Sequence, residues 1–166
     1  MKCTELVSRE HAMIRRGLNI LDGMLKKLED GERIEIADVA TVLRFFRLFG
    51  DAYHQVMEER VLFPALLSAE TEENSLVQLL AEHDKERAII AGVEDALRTT
   101  RGTEFVNTSR RLSMLLRNHL DKEDAVLNNW SGRELSNEED EMVVAEFTKN
   151  SPPVETFASF ARLERK

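Results

Sequence analysis

Residues 53–64 read Tyr-His-Gln-Val-Met-Glu-Glu-Arg-Val-Leu-Phe-Pro. In a helix, His54 and Glu58 stand one turn apart on the same face, so an imidazole and a carboxylate can hold one cation from one rigid element. A second copy of the pattern begins at His119, with Glu123 four residues later. In both copies a second acid follows at once, and a Val-Leu pair comes after it. Two copies in the same frame predict that both helices contribute to one metal site.

The composition indicates one helical domain. The chain has 166 residues, of which 42% are hydrophobic, and this is enough for a single compact core. Only 7 glycines and 3 prolines occur, while 33% of the residues are charged. Short strands would need more frequent turn residues, so these numbers favour long helices and an all-α fold.

Charge and cysteine content argue against several classes of function. The formal net charge of -8, with no run of basic residues, argues against nucleic-acid binding. Cys3 is the only cysteine, which excludes an intramolecular disulfide and a thiolate cluster. Charged residues interrupt every apolar run that is long enough for a signal sequence or a membrane span. We therefore expect a cytoplasmic protein without a membrane or nucleic-acid partner.

Apolar residues recur at helical spacing in four long segments. In the first segment the stripe consists of His11, Ile14, Leu18, Leu21, Leu25 and Leu28. Breaks are predicted at Asp30-Gly31, at 70–74 with Asn74 or Ser75 as helix caps, and at 101–103. Pro64 removes one backbone donor, so we expect a kink or early fraying there rather than an uninterrupted helix to Ser68. The pattern predicts an up-down-up-down four-helix bundle.

Short additional helices are predicted after the bundle. Residues 136–139, Ser-Asn-Glu-Glu, resemble the capped start of a fifth helix. After Ser151-Pro152-Pro153, a last apolar stripe could close one end of the bundle, form a dimer contact or be a loosely docked tail. It consists of Val154, Phe157, Phe160 and Leu163. We predict a bundle over residues 1–130 and a helical extension over 131–166, packed on the same domain.

All four histidines of the chain fall on inward faces of the predicted helices; they are His11, His54, His83 and His119. A single histidine on an apolar face is usually a core residue with a hydrogen-bond partner. Four together, two of them with a glutamate one turn further on, favour metal binding instead. Without a cation or a partner, buried Glu58 and Glu123 would carry a large desolvation cost.

The first half of the chain also resembles the second. Glu10-His11 is followed by Arg15, just as Glu82-His83 is followed by Arg87. Each half thus supplies two helices, which predicts a two-metal centre between them. Imidazole and carboxylate ligands without thiolate suit Fe, Mn or Zn, and we favour iron. Two metals about 3.5 to 4 Å apart could share Glu58 and Glu123 as bridges.

This pattern resembles the hemerythrin-like family, the HHE cation-binding domains. The resemblance covers His11, His54-x-x-x-Glu58, His83 and His119-x-x-x-Glu123, and it extends to Leu62-Phe63-Pro64. It implies a non-haem di-iron centre with a bridging oxo or hydroxo group, four terminal histidine ligands and two bridging glutamates. Mn or Zn would also suit these ligands.

The chain departs from the oxygen-carrying hemerythrins, which have a further histidine on the third helix. Leu79 and Arg87, which stand one turn before and one turn after His83, cannot take the place of that further histidine as metal ligands. Solvent, Tyr53 or Glu86 could fill that position. Glu10, Glu82, Arg15 and Arg87 could orient the imidazoles or neutralise the centre, but we expect most of them to be solvated. We leave open whether Glu59 and Asp124 are surface acids or hold ligand histidines.

Three functions are compatible with these residues. The first is a di-iron protein that binds or reduces dioxygen, peroxide or nitric oxide in oxidative or nitrosative stress protection; as an enzyme it would be an oxidoreductase with peroxidase-like or catalase-like activity. The second is a non-enzymatic iron or oxygen sensor or store that acts through a partner protein. The third is a structural bundle with zinc or no metal. The sequence allows a monomer or a homodimer.

Overall fold

A computed structural model describes residues 2–67, 73–128, 135–153 and 157–164. Two π-helical segments, Phe46–Gln55 and Glu58–Leu62, lie between the second and third α-helices. The α-helices are α1 (Lys2–Glu29), α2 (Ile36–Phe45), α3 (Phe63–Leu66), α4 (Glu73–Arg98), α5 (Gly102–Asn128), α6 (Asn137–Asn150) and α7 (Ala158–Leu163). The described ranges contain no β-strand, so the all-α prediction is confirmed.

Four long helical rods surround the core. Residues 36–66, from α2 to α3, form one continuous rod, since the residues at its internal junctions keep right-handed helical backbone angles. We call it the second rod. Helix α1 contacts the second rod and α5, while α4 contacts the same two elements. This arrangement is that of the predicted bundle. In the part of the chain described, no helix has both the length and the low charge needed to cross a membrane.

The first break lies where the sequence predicts it, and the third, at residues 99–101, lies two residues before the predicted 101–103. Helix α1 ends at Glu29, and Gly31 then adopts a left-handed backbone conformation (φ 78°) that favours glycine. Helix α5 begins at Gly102. The predicted start of α4 was wrong in detail. The helix begins at Glu73, so the predicted caps Asn74 and Ser75 lie inside it.

The second rod stays helical beyond Pro64. Helix α3 passes through Pro64 and ends at Leu66. Ser68 lies outside the described residues, so the predicted kink or early fraying stays a prediction. Pro64 is the second residue of α3 and, within a continuous rod, cannot donate the backbone hydrogen bond of its turn. The wider turn of Glu58–Leu62 immediately precedes it. Such π-helical turns are frequent at functional sites.

Helices α6 and α7 pack on the bundle. Ser136 accepts a hydrogen bond from the backbone of Glu139, whose carboxylate accepts one from the Ser136 backbone, so the predicted capped start of α6 is confirmed. Helix α6 contacts α1, and α7 contacts α2, where Phe160 stacks on Phe45 with ring centroids 4.1 Å apart. Val154 lies outside the described residues, and the division at residue 130 stays a prediction.

Asp140 of α6 caps the first turn of α1. Its two carboxylate oxygens accept hydrogen bonds from the backbone N–H groups of Lys2 (2.7 Å) and Cys3 (2.9 Å). A charge-assisted bond at a helix N-terminus stabilises the helix through its otherwise unpaired donors. Asp140→Asn is expected to lower the free energy of unfolding at pH 7 by about 1–3 kcal/mol in urea denaturation.

The same contacts predict a pH dependence. Although burial raises the pKa of Asp140, its hydrogen bonds to Cys3 and Lys2 outweigh this and lower it overall. The stabilisation is therefore complete above the unfolded pKa of about 3.9 and disappears as the pH falls through the lower folded value. Glu141→Gln, which removes an exposed ion pair with Lys2, is the matched control and should change little. Equal effects of the two substitutions would contradict the capping role.

Cys3 is buried in α1, with 1% of its surface exposed. Burial raises the pKa of its thiol to about 12, and the thiolate is the reactive form of cysteine. We expect iodoacetamide at pH 8 to leave Cys3 unmodified in the folded protein and to alkylate it in 6 M guanidinium, as measured by mass spectrometry. Rapid alkylation of the folded protein would contradict this burial.

Candidate metal centre

The structure brings together all six residues that the sequence predicts as metal ligands. His11 comes from α1, His54 and Glu58 from the second rod, His83 from α4, and His119 and Glu123 from α5. Their donor atoms form two groups, in each of which all atoms lie within 4.8 Å of one another. One group contains His11, His54, Glu58 and Glu123, and the other contains His83, His119 and Glu123.

The two glutamates lie between the histidines of the two halves. One oxygen of Glu58 is 3.0 Å from Nε2 of His54, and its other oxygen is 3.5 Å from Nε2 of His83. One oxygen of Glu123 is 3.4 Å from Nε2 of both His11 and His119. Each carboxylate therefore reaches imidazoles of both halves, as a group shared by two metal ions requires.

Both glutamates are fully buried, with 0% of their surface exposed. Within the described ranges, none of their four carboxylate oxygens has a hydrogen-bond partner, and Nε2 of His11 and of His54 also lacks one. Buried charged oxygens without partners are strongly unfavourable unless a cation offsets their charge. These atoms point at the space that the six residues enclose, so the donor set fits a bound cation.

A ring of four outer carboxylates holds the opposite nitrogen of each histidine. Helix α1 contacts the second rod, the second rod contacts α4, α4 contacts α5, and α5 contacts α1, so the ring closes around the bundle. The Nδ1 atom of His54 lies 2.8 Å from Glu10, and the Nδ1 atom of His83 lies 2.8 Å from Glu59. The Nδ1 atom of His119 lies 3.1 Å from Glu82, and the Nδ1 atom of His11 lies 2.6 Å from Asp124.

Each outer carboxylate is held by a second donor. Tyr53 donates to Glu10 (2.6 Å) and Arg87 to Glu59 (2.6 Å). Lys122 donates to Glu82 (2.5 Å) and Arg15 to Asp124 (2.8 Å). The prediction that Glu10, Glu82, Arg15 and Arg87 are mostly solvated was therefore wrong, because each takes part in this ring.

The ring determines which nitrogen of each histidine faces inward. A carboxylate accepts hydrogen bonds, so each Nδ1 carries the proton and each Nε2 of a neutral ring keeps a lone pair. Nε2 of His83 and Nε2 of His119 are 3.1 Å apart. Two ring nitrogens at this distance can share a proton between them, and a cation can take the place of that proton.

The electrostatics of the centre favour positive charge. Burial alone lowers the pKa of His54, but the carboxylates of Glu58 and Glu10 outweigh it and raise the pKa to about 10. Burial likewise lowers the pKa of His119, yet Glu123 and Glu86 raise it overall to about 9. At His83, by contrast, burial lowers the pKa overall. The neighbouring acids thus stabilise positive charge at His54 and His119 against the effect of burial.

The two further ligand candidates lie outside the group of six donors. The Tyr53 hydroxyl donates to Glu10 and lies 3.1 Å from the backbone oxygen of Phe147, so it supports the residue that holds His54. Glu86 is fully buried and lies 3.6 Å from Nδ1 of His119, the outer nitrogen of that ring. Burial raises the pKa of Glu86 to about 7.

Two residues of this region were missed by the sequence analysis. Lys122 supports Glu82, and Gln55 donates a hydrogen bond to Glu86. Gln55 directly follows His54, but a single neutral residue beside a ligand carries no recognisable pattern. Lys122 stands three residues after His119 and one turn from it, and this spacing is its only signal in the sequence.

The donor set is nitrogen and oxygen only. It suits iron, manganese or zinc better than calcium or magnesium, which take oxygen ligands. Comparison with protein-family models gives a match to the hemerythrin HHE cation binding domain over residues 4–130. Comparisons with curated proteins and with solved structures gave no significant match. The matched region contains all six donors, and the chain belongs to the hemerythrin HHE cation-binding family.

Proposed function

We propose that this protein holds two iron ions at the centre and binds or reduces a small oxidant, such as dioxygen, peroxide or nitric oxide, in protection against oxidative or nitrosative stress. The observation that carries this proposal is the pair of buried glutamates, each lying between histidines of both halves and lacking hydrogen-bond partners. Carboxylates in this position suit bridges between two ions better than ligands of a single ion.

The iron pair would supply redox chemistry and a coordination position for a small ligand. The protein supplies geometry. Its outer carboxylates keep each Nδ1 protonated and each imidazole in one orientation, so the Nε2 atoms stay directed at the centre. Apolar side chains exclude bulk water around them, among them Ile14 (2% exposed) and Leu116 (5% exposed).

Loss of one outer carboxylate is expected to weaken metal binding. Asp124→Asn leaves the six donors unchanged but replaces the charged partner of His11 by an amide. Changes to such outer partners typically lower metal affinity about 10- to 100-fold. Competition with a chelator measures this affinity, and Asp121→Asn is the matched control because Asp121 also contacts Arg15 but does not touch His11. Equal affinities of the two variants would contradict the positioning role of Asp124.

Metal content and absorption test the proposal directly. Chelator-treated protein is titrated with Fe²⁺, Mn²⁺ or Zn²⁺, and bound metal is measured by elemental analysis. We expect two ions per chain, a near-ultraviolet band after oxidation of the iron form, and oxygen release or a spectral change on addition of peroxide. One ion per chain would exclude the paired centre, and two iron ions without any response to dioxygen, peroxide or nitric oxide would exclude the oxidant role.

A sensor or store acting through a partner protein is the second candidate. The observation in its favour is that the two donor groups share Glu123 and together draw on α1, the second rod, α4 and α5, so two bound ions would link all four rods. Metal occupancy then contributes to the stability of the whole bundle. A large metal-dependent change in stability without any turnover of peroxide would favour this function over an enzyme.

A further inference from the structure

A cavity of about 530 Å³ lies between α1, the second rod and α7. Its wall includes the rings of Phe49, Phe157 and Phe160, together with the side chains of Met13 and Ala161. Small-molecule sites usually have a volume of roughly 300–1,000 Å³ and a mostly apolar wall with a few polar groups. The size and lining of this cavity therefore suit a small organic molecule.

The aromatic rings of the wall are held in place by ring contacts. Phe49 and Phe157 meet edge to face, with ring centroids 5.5 Å apart. Phe45 stacks on Phe49 at 5.3 Å and on Phe160 at 4.1 Å. Aromatic rings pack favourably against other rings, either in offset stacks or edge to face. A preformed cluster of rings along the cavity therefore favours a ligand that contains an aromatic ring.

Glu10 supplies a hydrogen-bond acceptor on this wall. One oxygen of its carboxylate accepts a hydrogen bond from the Tyr53 hydroxyl, and the other accepts one from Nδ1 of His54. Each carboxylate oxygen can accept a second hydrogen bond. Arg16 also lines the cavity but is paired with Glu164. A ligand with an O–H group thus finds a charged acceptor, whereas an anionic ligand meets like charge at Glu10.

Two residues of the wall also adjoin His54, which belongs to the metal centre. The carboxylate of Glu10 lies 2.8 Å from Nδ1 of this imidazole. The Phe49 ring is nearly parallel to the imidazole (7°), with the ring centroids 6.4 Å apart. One side chain therefore separates a molecule in the cavity from a ligand imidazole. The reduction of an oxidant consumes electrons, and an electron donor bound in this cavity lies next to the centre that would use them.

We propose that this cavity binds a small phenolic reductant of the hydroquinone class, which supplies the electrons for the reduction of peroxide at the centre. The inference rests on the proposed function, because it names the second substrate of the same centre. The ring of the reductant lies against the aromatic wall, and one of its O–H groups donates a hydrogen bond to Glu10. Oxidation of one hydroquinone to the quinone breaks two O–H bonds and releases two electrons and two protons. These cleave the O–O bond of one hydrogen peroxide and give two water molecules.

The test separates binding from turnover. Zinc has no redox chemistry, so calorimetric titration of zinc-loaded protein with hydroquinone under argon measures binding alone. The comparison ligand is para-dimethoxybenzene, which keeps the ring but has no O–H group. We expect it to bind at least about tenfold more weakly than hydroquinone, because it cannot make the charge-assisted hydrogen bond to Glu10.

Two variants test the place of binding without touching the metal centre. Ala161 lines the cavity from α7 and is partly buried, so Ala161→Trp places an indole ring in the space that the ligand needs. Hydroquinone affinity of the zinc-loaded variant is expected to fall at least about tenfold. Ala12→Trp is the matched control, because Ala12 is exposed on α1 and does not line this cavity. Met13→Trp fills the cavity from α1 and decides the result if Ala161→Trp displaces α7.

A second measurement follows the electrons. Iron-loaded protein is mixed with hydrogen peroxide and hydroquinone, and the quinone formed is measured by absorption and chromatography. We expect one quinone for each peroxide consumed by the unmodified protein and by Ala12→Trp. Ala161→Trp should form quinone about tenfold more slowly when hydroquinone is below saturation, since the rate then depends on binding.

The outcomes are distinct. No binding of hydroquinone, equal binding of para-dimethoxybenzene, or equal affinities of the cavity-filling variants and Ala12→Trp would overturn the cavity as a site for a phenolic reductant. Bound hydroquinone that is not oxidised, in a protein whose iron responds to peroxide, would overturn its role as electron donor. Absence of bound metal, or of any response of the iron form to peroxide alone, would instead overturn the proposed function. Elemental analysis and absorption before hydroquinone is added distinguish these failures.

Discussion

Replacing Glu58 and Glu123 together by glutamine is expected to reduce bound metal from two ions per chain to nearly none. The amide keeps the shape of the side chain but loses the negative charge and the second oxygen ligand. Because each carboxylate reaches histidines of both halves, the substitutions remove both shared ligands at once. Elemental analysis after incubation with Fe²⁺ and gel filtration measures the change.

The fold should survive this double substitution. The carboxylate oxygens have no hydrogen-bond partners in the structure, so neutral amides leave no established bond unmade, and the circular dichroism spectrum is expected to remain helical. Glu104→Gln combined with Glu146→Gln is the matched control, since it removes the same charge from exposed positions. Two ions per chain in the Glu58/Glu123 variant would show that other residues hold the metal.

Removing the metal from the unmodified protein is expected to cause the second large effect. A ligand that binds only the folded state at about 1,000 times its Kd contributes about 4 kcal/mol to stability. For a chain of this size, that corresponds to a fall in Tm of about 8–16 °C after chelation. The physical reason is that the cation offsets the charge of Glu58 and Glu123 in the core.

Thermal unfolding by circular dichroism, with and without added metal, measures this shift. The Glu58→Gln/Glu123→Gln variant serves as the control, because its Tm should not respond to metal at all. A Tm that is the same with and without metal in the unmodified protein would contradict the linkage between the centre and the fold. A metal-dependent shift that persists in the variant would place the stabilising ion elsewhere.

The helical periodicity was sufficient to predict the fold class and to place the histidines on inward faces. It works for His11 and His119 because a side chain on an apolar stripe of a helix has to face the core. The pairs His54–Glu58 and His119–Glu123 also depend on local spacing alone. For this reason the six donors could be proposed before any tertiary contact was known.

Residues whose partners come from another helix were predicted less well. Glu10 stands beside His11 in the sequence, but its carboxylate holds His54 of the second rod, while His11 is held by Asp124 of α5. Adjacent residues on a helix point in different directions, so each neighbour of a ligand reaches the next rod and not its own histidine. Sequence spacing contains no information on that choice.

The sequence by itself determined which residues become buried on four amphipathic helices, because periodicity and hydrophobicity are local properties of the chain. Tertiary structure alone decided which imidazole each outer carboxylate holds. It also directed Tyr53 to Glu10 and placed Gln55 beside Glu86. These features depend on the rotation and spacing of neighbouring rods, which are set by how their side chains pack against one another.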